Sequence, residues 1–326
     1  MGSRRLVWRL FVSTLAPSPY LLLAGILLDA IVGDPQIRFH PIRLLGHTLS
    51  KYEQLIRRLG FDGYGGGGIL LGLLSLTWVV IPCLLLAGIY RWSVSAGTIV
   101  HVLIIYTCFA LRDLIDHVRA VQRAANDGNV GDARKAIQML VGRDIERMDL
   151  AACRRASIES LSENFVDGVL SAVFWYVLLG LPGLLLFKVA STMDSMVGYK
   201  TPRYLQFGWC GARLDDFMNF VPARLTWLLL GAFSIPKGWR IGLAQHSVLP
   251  GPNPGWSEAT MAGVLSRKLI GPIWKDNQLV TETWIGDPAD PEAGSDEDVS
   301  KAIRVVVASA AITIVAAMVF IHAAWD

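Results

Sequence analysis

Apolar runs as long as a bilayer is thick constrain this chain more than any motif in it. Residues 303–323 form the cleanest of them, and residues 68–90 are slightly longer. Each exceeds the roughly 20 residues that a helix needs to cross a hydrocarbon core. Residues 95–111, 168–190 and 217–235 are also apolar, and Pro19–Val32 makes a shorter run. Composition agrees, with 53% hydrophobic and 17% charged residues and a mean hydropathy of +0.44. Soluble domains carry about 25% charge. The expected fold class is therefore all-α: a polytopic membrane protein with about four to six membrane elements, some re-entrant. The bilayer is its first partner. The net charge of +3, with no basic run, gives no reason to expect nucleic acid. Four scattered cysteines without a CxxC read as reduced packing residues. Arginines precede apolar residues in "MGSRRLVWRLF", yet no small-x-small cleavage site follows, so it reads as a retained segment.

The polar stretches organise the rest of the chain, read as one membrane-integrated domain, 1–326. Residues 112–167 show helical spacing at Leu114, Ile115, Val118 and Val121, and again at Ala133, Ala136 and Ile137. A third helix is expected with Asp149 as its N-cap. This stretch reads as an extramembrane helical array. Residues 236–302 are rich in Pro, Gly and Trp, with Ser257 expected to cap a helix, and no strand pattern stands out.

Glu159, Glu163 and Asp167 recur every fourth residue, so a helix stacks them on one face. Like charges there repel unless a cation compensates, and Arg155 is placed to take part. A solvated helix face fits the spacing equally well. Asp194 and Lys200 flank Gly198, and "FGWCGARLDDFMNFVPARL" adds Arg213, Asp215 and Asp216. Carboxylates beside cations suit magnesium–nucleotide chemistry, and suit an ion-pair network as well. His40 and Arg43 lie in "GDPQIRFHPIR", whose two X-Pro steps read as a stiff loop. A lone histidine is more often structural. The glycine run "GYGGGG" lacks the GK[ST] ending of a nucleotide loop, and neither HExxH nor GxSxG occurs.

Six blocks point further: "LLDAIVGDPQIRFHPIRLLG", "VGRDIERMD", "ASIESLSENFVDGV", "TMDSMVGYKTPRYLQFGWCGARLDDFMNFVPARLT", "PNPGWSEATMAG" and "WIGD". Through them the chain resembles, from about Leu27 to Asp287, the adenosylcobinamide-phosphate synthase family of cobalamin biosynthesis. It departs from that family's pattern at Ser191, Met193 and Thr201. It also has Leu249 where the family usually has His before the Pro-rich block, which leaves His246 without a clear role. The resemblance implies ATP-dependent amide formation between a corrinoid, adenosylcobyric acid, and aminopropanol or its phosphate. Magnesium would be needed, and the enzyme would lie in the cytoplasmic membrane with its site facing the cytoplasm. Homo-oligomers or contacts with other enzymes of the pathway are compatible with it. On this reading Glu159, Glu163, Asp194 and Lys200 are catalytic candidates. His40, Arg43, Arg143, Asn164, Arg203, Arg213 and Asn253 bind cofactor or substrate, and Asp167, Asp215 and Asp216 hold metal. A non-catalytic membrane sensor of the same superfamily would be expected to lose the Asp194, Lys200 and Asp215 set, and a transporter is suggested by Lys188 and Arg224 within apolar runs.

A shared site constrains the topology. One straight crossing over 168–190 would set Asp167 and Asp194 on opposite faces, about 30 Å apart. "GLPG" allows two half-helices of about eleven residues, each about 16 Å long. Cysteines placed at 166 and 195 should then be labelled from the same side of the membrane. Labelling from opposite sides refutes the re-entrant reading.

Overall fold

The computed structural model describes residues 14–34 and 40–325. The N-terminal arginine-containing segment, and the middle of the stretch read as a stiff loop, lie outside the described residues. The described residues are all-α apart from four very short strands. Among the described residues, four helical stretches are long and apolar enough to cross a membrane: Tyr64–Trp92, Val94–Asn126, Leu150–Val197 and Asp296–Trp325. By contacts it divides into two compact units, the first made of Met1–Ala110, Ser171–Met218 and Thr313–Asp326, the second of Leu111–Leu170 and Asn219–Ile312.

In the first unit, α1 (Pro19–Val32) starts as its sequence suggests, with Pro at the first turn and the Ser18 hydroxyl accepting from the Leu21 N–H. Helix α2 (Pro41–Arg58) buries one stripe, Leu45, Leu49 and Ile56. Helix α3 (Tyr64–Trp92) runs through Pro82 without ending. A π turn at Leu76–Val80 comes just before that proline. The wider turn accommodates a residue that has no N–H and would clash with the preceding carbonyls. Helix α4 (Val94–Thr107) follows, capped by Ser93.

The "GLPG" break resolves within this unit. In α8 (Ser171–Val197), Gly180 has φ 65° and ψ −152°. A Cβ built on Gly183 would lie 2.5 Å from the Trp175 carbonyl oxygen. Residues eight apart in a straight helix are about 12 Å apart. The chain therefore reverses at Gly180, and the apolar length of Leu150–Val197 is not one rod. A Cβ at Gly180 would also meet the Leu15 carbonyl oxygen at 2.0 Å. Only glycine holds that backbone conformation beside another main chain.

In the second unit the expected helices form as α5 (Leu111–Asn126), α6 (Val130–Gln138) and α7 (Leu150–Phe165). Val121, Ala125, Ala133, Ile137, Cys153 and Ala156 pack together as the spacing predicts. Asp149 caps α7, accepting from the Ala152 N–H at 2.7 Å. A π turn at Val166–Leu170 extends α7. Helix α9 (Trp209–Gly231) has its first half in the first unit and its second half in the second unit. Helices α10 (Lys237–Gln245) and α11 (Pro254–Leu265) follow. Every residue of α11 from Gly255 to Leu265 is buried. Its cap position is Asn253 rather than the expected Ser257, because Pro254 already occupies the first helical position. Strands β1 (Leu269–Ile270) and β4 (Trp284–Ile285) pair antiparallel, as do β2 (Ile273–Lys275) and β3 (Gln278–Thr281). These strands are the one departure from the helical expectation. They are too short to show an alternating pattern. Helix α12 (Asp296–Trp325) opens on three acidic residues, which suits the positive end of a helix dipole.

Gly180→Val should lower the melting temperature of the detergent-solubilised protein by several degrees, since a strained backbone costs about 1–3 kcal/mol before any clash. Gly88→Ala, where an added Cβ meets open space, should melt like the parent. Equal melting of all three proteins refutes the reversal.

Candidate functional site

A helix that starts at Asp149 places Glu159 and Glu163 one turn apart, and in the second unit both line a cavity of about 400 Å³. Arg143 enters from the loop before α7, Glu258 from α11, and Leu249 and Pro254 close the wall. Glu159 is not on a solvated face. It is buried, accepts from Arg143 Nη2 at 2.6 Å and from the Ile270 N–H at 2.9 Å. The compensating cation is thus Arg143 and not Arg155. Arg155 is instead held by the carbonyls of Ile270 and Ala293, at 3.1 Å and 3.3 Å, and lies over Trp284. The regular four-residue stacking does not carry to Asp167. The π turn begins at Val166, and Asp167 does not line the cavity.

Glu258 is the residue that sequence reasoning passed over. It is 5% exposed, and no hydrogen-bond donor among the described residues reaches its carboxylate. Burial, with Glu163 and Glu159 close by, pushes its carboxyl well above the usual range, while Arg143 opposes the shift. The one available signal was its place inside the "PNPGWSEATMAG" block. Asn253, from the same block, accepts from Arg224 at 3.0 Å, and the Arg224 guanidinium lies 3.6 Å from the Phe220 ring centre. The charge in the apolar run 217–235 is thereby matched locally. Asn164 donates back to the Ser160 carbonyl and hydroxyl. The His246 ring stacks on Trp256 at 3.9 Å, a packing role.

The first unit gathers a second group. Asp194 lies in the last turn of α8, and Gly198 follows close to it: a Cβ there would sit 2.1 Å from Asp194 Oδ1. Asp194 lies within electrostatic range of Asp216. Asp216 is 3.6 Å from Arg213. Burial raises its carboxyl above the ordinary value, while Arg213 and Lys200 pull it back. Asp215 is its neighbour in α9, about 100° around the helix. Other candidates of this unit are tied elsewhere. His40 pairs with Asp34 at 3.0 Å, and Arg203 with Glu53 at 3.0 Å, while Arg43 is exposed on α2. No group of three or more His, Cys, Asp or Glu among the described residues is placed to hold a metal ion. Magnesium bound with a nucleotide needs only one or two carboxylates, the phosphates supplying the rest. The oxygen donors Asp194 and Asp216 fit that requirement.

The apolar helices and the carboxylate-and-arginine cavity together define a polytopic all-α membrane protein with a polar site of its own. The chain belongs to the CobD/Cbib family, whose model matches residues 22–306. It is 38% identical over 296 residues to the cobalamin biosynthesis protein CobD of Klebsiella pneumoniae subsp. pneumoniae, covering 86% of this chain and 90% of that one. It is 37% identical over 276 residues to the protein of that name from Photorhabdus laumondii subsp. laumondii, covering 81% and 86%. For the one from Sinorhizobium sp the figures are 35% over 312 residues, 87% and 92%. No solved structure matches the chain.

The Glu258 shift sets a sign for stability. A carboxyl whose folded value is raised keeps its proton in the folded state after the unfolded chain has lost it. The contribution of Glu258 to stability is then fully present below about pH 4.5 and is lost as pH rises toward its raised folded value. The Glu258→Gln protein should melt higher than the parent at neutral pH and show a flatter melting profile between pH 5 and 8. Parallel profiles refute the buried-carboxylate reading.

Proposed function

We propose that this chain forms an amide in cobalamin biosynthesis, joining the carboxylate of adenosylcobyric acid to (R)-1-aminopropan-2-ol or its O-phosphate at the expense of ATP. Family membership supports the pathway. The observation that carries the reaction is the single cavity holding Glu159, Glu163, Glu258 and Arg143. An amine reaches the enzyme as an ammonium, and must lose a proton before it can attack. Three carboxylates facing one arginine attract that cation. Its arrival relieves their mutual repulsion, so Glu258 is ionised when the amine is bound. The same burial gives Glu258 the high proton affinity of a good acceptor. Glu159 is less suited, since Arg143 and Ile270 already occupy its oxygens. Glu163, half a cavity wall away on the same helix face, positions the ammonium.

The acyl group must also be activated. The corrinoid carboxylate takes the γ-phosphoryl group of ATP and ADP leaves. Glu258 first takes one proton from the ammonium, the freed amine nitrogen attacks the acyl carbon, and the phosphate that leaves carries off the second nitrogen proton. Arg143, in the wall of the same cavity, supplies positive charge to a developing oxyanion. Magnesium supplies charge neutralisation on the nucleotide phosphates. Asp194 and Asp216, with Asp215 as a further oxygen donor, would hold it, and Lys200 and Arg213 have the charge to hold phosphate. Because ATP and the corrinoid are cytoplasmic, the site faces the cytoplasm from the inner membrane.

The test is reconstitution of the full chain in lipid with the corrinoid acid, the amine and magnesium–ATP. Amide, ADP and phosphate should appear in equal amounts, and Glu258→Gln should lower kcat by about 10²–10⁴ with little change in KM. Absence of amide from a folded, inserted protein overturns the proposal. Near-normal turnover in Asp194→Asn, Lys200→Ala and Asp215→Asn together removes the first-unit group from the reaction.

A further inference from the structure

A second cavity of about 210 Å³ opens beside the N-terminus of α7, and Arg143 lines both. Its other basic residues are Arg147 and Arg155, and Trp274 of β2 forms a wall. Arg147 is exposed, its guanidinium 3.7 Å from the Trp274 ring centre. No carboxylate among the described residues pairs with it. A guanidinium stacked on a ring keeps all its in-plane N–H donors for another ligand. Arg143 Nε is likewise a buried donor without a partner. Three acids also line the cavity, so net charge does not decide what it binds. Asp144 accepts from the Asn277 N–H at 2.7 Å and Asp149 from the Ala152 N–H at 2.7 Å. Glu292, 54% exposed, stands 3.6 Å from Arg155. The N–H donors without a partner thus belong to Arg147 and Arg143, two residues that line one cleft.

We propose that the cleft between Arg143, Arg147, Arg155 and Trp274 binds a phosphoryl group of a reactant. This deepens the amide-forming reading and rests on it, because the shared Arg143 would bring the phosphoryl group next to the carboxylate cavity. Planar forks of N–H donors match phosphate oxygens two at a time. The phosphoryl group can belong to the nucleotide or to a phosphorylated amine.

The probe is inorganic pyrophosphate, titrated calorimetrically into the full chain in lipid nanodiscs. The parent should bind it in the micromolar to millimolar range. Arg147→Ala should weaken binding about tenfold. Glu292→Gln, which frees Arg155 from its carboxylate, should tighten it severalfold, a gain that a merely structural Glu292 would not produce. Displacement by ATP assigns the cleft to the nucleotide, and displacement by aminopropanol O-phosphate assigns it to the amine. No binding by the parent, unchanged affinity in both variants, or displacement by neither reactant overturns the subsite. Amide formation without pyrophosphate binding leaves the reaction standing and removes the cleft. Binding that responds to both variants, in a protein that forms no amide, leaves a phosphoryl site and removes the reaction.

Discussion

The second unit depends on meeting the polar demands of one buried carboxyl group, that of Glu159. An isolated carboxylate in a protein interior costs several kcal/mol, and breaking a buried pair by removing one partner costs about 3–5 kcal/mol. Glu159 meets that cost with Arg143 at 2.6 Å and the Ile270 N–H at 2.9 Å. Those two contacts fasten the loop before α7 and strand β1 to the middle of the helix. The cavity exists because of this arrangement. Once Arg143 is committed to Glu159, Glu258 is left in the same wall with its charge poorly matched. Anything that loosens Arg143 therefore changes the environment of every carboxylate around it.

In the apolar part, the same economy of special residues decides the path of the chain. Hydropathy measures length, and by length Leu150–Val197 is a single long crossing. Backbone geometry overrides that reading at one residue. Gly180 takes a conformation closed to side chains bearing a Cβ, and the helix returns on itself. Near Pro82 the outcome is opposite. There the helix absorbs the proline in a π turn and continues. Proline alone therefore does not predict a break. A glycine that can adopt positive φ beside it does.

These two cases show what the sequence makes legible. Periodic apolar spacing found α5 and α6, because each has one buried stripe and one wet face. The Asp149 cap was legible because capping is local: one side chain and the N–H three residues on. The GLPG break was legible for the same reason. Glu258 was not. Helix α11 is buried all round, so it has no polar face from which an inward carboxylate could be distinguished. Reading Ser257 as the cap put Glu258 in a first turn, where acids usually meet water. The choice of Arg143 over Arg155 was equally hidden. Arg155 has the helical spacing to reach Glu159, but its guanidinium is drawn to the carbonyls of Ile270 and Ala293, which are over a hundred residues away in the chain.

The position of Arg143 between two cavities has a consequence for how charge is handled. Surface charges are screened over about 8–10 Å of salt solution. A side chain that is only 14% exposed escapes most of that screening. Its pull on Glu159 and its pull on an anion in the neighbouring cleft therefore compete directly. An anion that takes the Nε donor draws positive charge away from the carboxylate cavity. The cavity then becomes a stronger trap for a cation. The proposed amide formation would need an anion and an ammonium at neighbouring positions, and one buried guanidinium lining both cavities is a physical means of coupling the arrival of the first to the capture of the second.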